Sequence, residues 1–250
     1  VNNDELGQKY EDGLQKEKVN FLYSKKSEPT PTGTCLILIT PDSERTMCTF
    51  LGTAGKIGAN DVNENNVKNS EIVFLEGYLW DPPNAKKAFL EAINIAKAAD
   101  TKVALSLSDA FCVDRYRSEF LDLVRTHVDI LFGNETELLS LYQVENLNKA
   151  IGLVQDDCEI VAVTRDSRGS IVIENRRVFE IAAQKIDTVI DTTGAGDLYA
   201  SGFLYGITRD MDIRQCGRLG GLVASSIITQ FGARPEESLM PLIDRVAVPN

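Results

Sequence analysis

The chain has 250 residues, 43 % of them hydrophobic and 25 % charged, a balance that supports a packed core and excludes a disordered chain. Its formal net charge is −11, which argues against nucleic acid or an anionic membrane surface as the main partner. No apolar run approaches the roughly 20 residues needed to span a bilayer.

Residues 4–17 read as a polar amphipathic helix. A Pro/Thr/Gly-rich loop covers 27–33. A β-branched, apolar strand follows at 35–40, then a turn at Pro41-Asp42-Ser43 and an alternating return strand at 46–51. From Glu71 onward the pattern becomes βαβα: a buried strand at 72–75, a helix at 84–99, a strand at 103–107, a helix at 114–126, a strand at 129–132, a helix at 134–142 and a strand at 160–164. Continuous apolar strands alternating with helices predict an α/β fold, its mostly parallel sheet covered on both faces. Residues 170–174 and 178–183 predict a hairpin bridged by Asn175-Arg176-Arg177. A strand at 188–191 then enters a glycine-rich turn, followed by helices at 197–207 and 214–230, the second rich in small residues. No internal repeat or clear interdomain linker interrupts this order.

The five cysteines, Cys35, Cys48, Cys112, Cys158 and Cys216, are odd in number and include no C-x-x-C pair. A disulfide framework or zinc site is therefore not expected, and a reducing cytoplasm is. His127 is the single histidine. That removes His-based triads and multi-His metal sites, and leaves His127 a packing or surface role.

The turn Asp191-Thr192-Thr193-Gly194-Ala195-Gly196-Asp197 carries the most chemistry. Gly194 and Gly196 allow a tight turn with no side chains in the way. The amides of Ala195, Gly196 and Asp197 are expected to point outward at a helix start, where the dipole makes an anion site. Asp197 has two readings: a helix cap, or a base that accepts the proton of a hydroxyl attacking a phosphoryl group. No GxxxxGK[ST] exists, since Gly52–Gly58 fails that pattern. Tyr199 blocks a GxGxxG match, so a dinucleotide-binding dehydrogenase is disfavoured. Asn134 and Glu137 fit a capping box at a helix start. Arg165 by itself reads as a surface charge. Glu76 and Asp81 flank a strand end where ligands of parallel sheets sit, and Asp81-Pro82 equally reads as a turn.

The segment from Asp191 to Asp197, followed by Ala200-Ser201-Gly202-Phe203, closely resembles the C-terminal signature of the PfkB (ribokinase-like) carbohydrate kinases. Other segments agree in order. Asn134-Glu135-Thr136-Glu137 resembles the family's N-x-x-E motif, VAVTRDSRG from Val161 its nucleotide loop, and Phe231-Gly232-Ala233-Arg234-Pro235 its closing loop. The resemblance covers essentially the whole chain and implies a ribokinase-like fold with a small β-lid. Residues 34–51 are then part of the lid, and 1–33 with 52–250 the α/β core. It implies ATP and Mg²⁺ as cofactors, with K⁺ in some members. Asp197 becomes the catalytic base. Gly194, Ala195 and Gly196, with the Asp197 amide, become the hole for the transferred phosphoryl group. Asn134 and Glu137 help place Mg²⁺ through water. Thr164, Arg165 and Gly169 lie near the ATP phosphates or ribose, and Asn134 is shared with that nucleotide site. Asp191, Thr193 and Gly232 lie near the monovalent-cation pocket, with Gly232 also bordering the nucleotide. Gly221 stands beside the adenine where many relatives carry Asn, and Asp166 stands where many carry Gly.

Glu44-Arg45-Thr46-Met47 and Leu51-Gly52 resemble the lid of bacterial adenosine-kinase-like members more than that of typical ribokinases. Glu44 is placed to reach a substrate hydroxyl, and Arg45 to face solvent or the phosphates. Strand residues at a hairpin tip also serve structure alone. A lid excludes water, and the alternating strand at 46–51 permits a homodimer through the lid without requiring one. Residues 1–18 resemble a helix that lies well inside relatives. The resemblance thus implies a longer gene product, whose first core strand, several lid strands and sugar-binding acidic residue precede this sequence. Without them, unpaired sheet edges are expected. The expected function is ATP-dependent phosphorylation of a primary hydroxyl on a ribose-bearing small molecule, adenosine or another nucleoside first. Ribose, fructose or another sugar is the alternative. A non-catalytic nucleotide- or sugar-binding relative is the alternative of a different class.

Overall fold

The computed structural model describes residues 1–41 and 45–246. The expected turn at 41–43 and the candidate Glu44 therefore fall largely outside the described residues. Helix α1 (Glu5–Lys16) starts where Asp4 accepts the Gly7 amide. Strands β1 (Thr32–Ile39) and β2 (Arg45–Gly52) form a two-stranded antiparallel sheet of their own. Its register pairs Leu36 with Cys48, Ile37 with Met47 and Ile39 with Arg45. Paired residues share a face, so Leu36, Leu38 and Phe50 lie on one side and Ile37, Ile39 and Arg45 on the other.

After the short helix α2 (Glu64–Lys68), the chain alternates β3 (Ile72–Glu76), α3 (Pro83–Ala98), β4 (Lys102–Ser106), α4 (Ala110–Thr126), β5 (Ile130–Asn134), α5 (Glu135–Tyr142), α6 (Leu147–Asp157) and β6 (Ile160–Thr164). Then come β7 (Ser170–Glu174), β8 (Arg177–Ile181), α7 (Ala195–Ile207), α8 (Ile213–Ile227) and α9 (Pro241–Val246). The six strands β3 to β8 form one sheet in sequence order. Strands β3 to β6 are parallel; β7 and β8 are antiparallel additions. Alternate strand residues point to opposite faces. Leu105, Leu131, Val161 and Ile173 pack with α3 to α6. Ala104, Ile130, Ala162 and Val172 pack with Tyr199, Phe203 and Cys216 of α7 and α8. The expected α/β architecture with helices on both faces is the one observed.

Several local expectations change. The strand at 72–75 is not buried throughout: β3 is an edge strand, with Leu75 buried and Phe74 40 % exposed. The helix expected at 114 begins at Ala110, because Asp109 caps it through the Phe111 amide, and it breaks at Tyr116. In the β7–β8 hairpin Arg177 pairs with Glu174, so the turn is only Asn175-Arg176, both at positive φ as a two-residue hairpin turn requires. Residues 188–191 form no strand. Ile190 merely donates its amide to Ile228 O at 2.8 Å. Helix α6 went unread because its apolar spacing is diluted by Asn, Gln and Asp.

Candidate active site

The carboxyl ends of β3, β5 and β6 and the start of α7 meet at one end of the sheet, where ligands of open α/β sheets bind. Register places Asn134 beside Thr164 and Glu76 beside Ser106. Helix α7 begins two residues earlier than expected. Gly194 is its N-cap at φ 81°, a left-handed conformation that glycine adopts without penalty. A Cβ at Gly194 would lie 2.8 Å from the Ala233 Cβ, so the closing loop packs directly on this turn. The Ala195 amide, expected to be free, donates to Thr192 O at 3.2 Å. The Gly196 and Asp197 amides donate to nothing among the described residues. A Cβ at Gly196 would meet no atom within 4 Å. Two unpaired amides, open space and the positive end of a helix fit an anionic group such as the ATP phosphates.

Asp197 is the third residue of α7, and its carboxylate caps nothing among the described residues. It is open to solvent, yet the surrounding protein strips part of its hydration and raises its pKa, while the Arg45 charge works in the opposite direction. Burial likewise raises the pKa of Glu76, and the nearby Asp197 charge adds to that. Glu76 therefore belongs to the same cluster as Asp197. Asp81, the other member of the uncertain pair, does not. It accepts from Tyr116 Oη at 2.8 Å and from Arg115 Nη1 at 2.5 Å in an exposed network.

Asp191 is 1 % exposed. Its Oδ1 accepts the Thr193 amide at 2.9 Å and the Thr193 hydroxyl at 2.6 Å; its Oδ2 accepts the Gly232 amide at 2.8 Å. Burial pushes its pKa up, but these hydrogen bonds outweigh it and hold the carboxyl below its ordinary value. Asp191 and Thr193 thus staple the turn to the closing loop, which leaves K⁺ only their remaining lone pairs. Gly232 lies at φ 84°. Gly221 faces open space on α8.

Asn134 and Glu137 form the capping box. Glu137 N donates to Asn134 Oδ1 at 2.8 Å, and Glu137 accepts the Asn134 amide at 2.9 Å and Nδ2 at 2.7 Å. Glu137 is 5 % exposed, and burial, opposed by the Asn134 amide and aided by Asp109, pushes its pKa up to about 7. Both carboxylate oxygens accept from Asn134, so these hard oxygens keep only their remaining lone pairs for the water shell of a Mg²⁺ ion. Among the described residues no group of three or more His, Cys, Asp or Glu is arranged to hold a metal ion. Sequence reasoning missed Asp109 and Tyr78. Burial, then Asp109, Glu137 and Glu76, push the Tyr78 hydroxyl up to about 12, which places all four at this end of the sheet. An Asp just beyond a parallel strand was the available signal for Asp109.

Arg165 is not a surface charge. Its side chain is 13 % exposed, and it approaches Glu180 at 3.5 Å and donates to Arg168 O at 3.2 Å. Its Nε is buried without a partner among the described residues. Asp166 takes φ 51°, in the left-handed region that Asp tolerates. Gly169 takes φ 79°, and a Cβ there would lie 2.0 Å from Ile181 O. From the hairpin, Arg45 Nη1 donates to Thr192 Oγ1 at 2.5 Å. Arg45 therefore faces the candidate site and not solvent alone.

The sheet end, the turn with its two unpaired amides and the Asp197 carboxylate beside it form a candidate site on an α/β fold. The sequence matches the pfkB family of carbohydrate kinases over residues 1–239, and the chain belongs to that family. An adenosine kinase from Sinorhizobium meliloti is 42 % identical, with a TM-score of 0.95 over 99 % of this chain and 76 % of that one. A probable sugar kinase from Rhizobium etli is also 42 % identical, with a TM-score of 0.95 over 98 % of this chain and 74 % of that one. A nucleoside kinase from Methanocaldococcus jannaschii is 28 % identical over 239 residues, 95 % of this chain and 73 % of that protein. The chain is thus a sugar or nucleoside kinase of this family with the expected ribokinase-like fold. No helix among the described residues is long and apolar enough to cross a membrane.

Proposed function

We propose that this protein uses Mg²⁺-bound ATP to phosphorylate a primary hydroxyl of a ribose-bearing small molecule, adenosine or a related nucleoside first. The observation that carries this reading is the unbonded Asp197 carboxylate beside the unpaired Gly196 and Asp197 amides. Asp197 takes the proton of the acceptor hydroxyl as that oxygen attacks the γ-phosphorus and ADP leaves. Its raised pKa makes it a better proton acceptor than an ordinary carboxylate. The two amides and the α7 dipole stabilise the charge on the transferring group. Asn134 and Glu137 would hold Mg²⁺ through water, and the ion would neutralise phosphate charge. Thr164, Arg165, Gly169 and Gly221 border the nucleotide. Gly194 and Ala195 shape the turn, and Asp191, Thr193 and Gly232 fix it.

The β1–β2 hairpin serves as a lid over the acceptor. Arg45 ties it to Thr192 and brings a cation to Asp197. The lid's other face, with exposed Leu36, Leu38 and Phe50, suits a homodimer, and a reducing cytoplasm suits the free cysteines. A free sugar is the second reading, favoured by the equal identity to a probable sugar kinase.

The test is acceptor-dependent ADP release from Mg·ATP over adenosine, other nucleosides, ribose and fructose. Selective turnover of adenosine supports the first reading, and turnover of a free sugar the second. ATP binding without turnover of any acceptor favours a non-catalytic relative and refutes both.

A further inference from the structure

We infer that the Arg168–Glu135 ion pair is a positioning device that holds the nucleotide loop against the Asn134/Glu137 end of α5. This rests on the nucleotide-site reading above but assigns a role to two residues outside it. The loop after β6 fixes its own shape. Arg165 N donates to Gly169 O at 2.8 Å, Arg168 N to Arg165 O at 3.0 Å and Gly169 N to Asp166 O at 3.1 Å. Those bonds leave open where the closed loop sits relative to its surroundings.

Pairing of Thr164 with Ser170 fixes the base of the loop, and two side chains tie down the rest. Arg165 reaches Glu180 on β8 at 3.5 Å on one side. On the other, Arg168 Nη2 donates to Glu135 Oε2 at 2.5 Å. Glu135 is the first residue of α5, directly after Asn134 and two before Glu137. Strand pairing already holds Asn134 beside Thr164. The ion pair therefore closes a ring that runs from Thr164 through Arg165 to Arg168, across to Glu135, and back through Asn134. That ring couples the position of the nucleotide loop to the proposed Mg²⁺ side of the site. Glu135 also sits at a helix start, where its charge is favoured with or without Arg168.

Arg168 is 61 % exposed and Glu135 24 %, so the effect is a few-fold and not orders of magnitude. The experiment is a double-mutant cycle with Arg168→Ala, Glu135→Ala and the double variant of the full chain. The Kd for Mg·ATP is read by calorimetry, alongside melting temperature, kcat, and KM for ATP. Each single variant should weaken Mg·ATP binding roughly 2–5-fold. The double variant should be no weaker than the worse single one. The kcat at saturating ATP should hold, and melting temperatures should stay within about 3 °C of the wild type. Additive losses would overturn the inference. So would weakening by Arg168→Ala with none by Glu135→Ala, because Arg168 would then act on the nucleotide directly. A wild type that binds no Mg·ATP would refute the nucleotide-site reading itself, and this inference with it.

Discussion

Replacing Glu137 with Gln should make the protein less sensitive to rising pH. The Glu137 carboxyl is 5 % exposed, and its pKa stands at about 7 against an ordinary 4.5. Between those values the folded protein holds a proton that the unfolded chain releases. This group's contribution is therefore most favourable below pH 4.5 and is progressively lost as pH rises to 7. Relative to a side chain that stays neutral, the raised pKa costs the fold about 3 kcal/mol at pH 8 but only about 1 kcal/mol at pH 5, where the folded carboxyl keeps its proton and the unfolded one loses it. Gln preserves the length of the side chain but accepts only one of the two Asn134 hydrogen bonds, a loss of about 1 kcal/mol. Glu137→Gln should thus be near neutral at pH 5 and stabilising by about 2 kcal/mol at pH 8. Urea denaturation at the two pH values reads the difference. The same variant should weaken Mg²⁺-dependent ATP turnover, since it removes the charge proposed to order the ion's water shell. An identical stability change at pH 5 and pH 8 would refute the reasoning, because it would mean that Glu137 titrates alike in the folded and unfolded chains.

Gly196→Ala should fold normally, since its Cβ meets nothing within 4 Å and Ala favours a helix by about 1 kcal/mol. Its methyl group would project into the proposed phosphate space, so turnover should fall on the order of 10²-fold. Gly194→Ala should instead lose roughly 1–2 kcal/mol of stability to its left-handed backbone alone, with the 2.8 Å approach to Ala233 added; thermal melting separates the two variants. Arg45→Gln removes the cation that lowers the Asp197 pKa, so the acidic limb of the kcat–pH profile should move to higher pH. An unmoved limb would separate Arg45 from Asp197.

The sheet was legible because Val161, Ala162 and Val163, buried on both faces, leave an unbroken apolar run. Element starts were less so. Asp109 and Asn134 both cap helices, but only Asn134 has a Glu three residues on to mark the cap. Residues 188–191 look like a strand from β-branched content, yet they join neither sheet, and the Ile190 and Asp191 amides turn to Ile228 O instead. At the site, the turn from Asp191 to Asp197 was visible from its glycines. That Asp191 spends its carboxylate on Thr193 and Gly232 was not, because Gly232 lies 41 residues away. Glu76 and Asp81 looked equivalent in sequence. Tertiary structure separated them by sending Asp81 to Arg115 and Tyr116 on α4 and leaving Glu76 near Asp197. The drop of the Ala195 amide from the anion site depends on one turn bond to Thr192 O, which no residue pattern announces.

The account turns on Asp197 as the group that receives the acceptor's proton. Its most direct test is Asp197→Asn, measured for acceptor-dependent ADP release and, separately, for Mg·ATP affinity. The substitution removes a carboxylate that makes no hydrogen bond among the described residues, so folding and nucleotide binding should persist. Turnover should fall by about 10²–10⁴-fold. Near-normal turnover in a folded, ATP-binding Asp197→Asn protein would contradict the account.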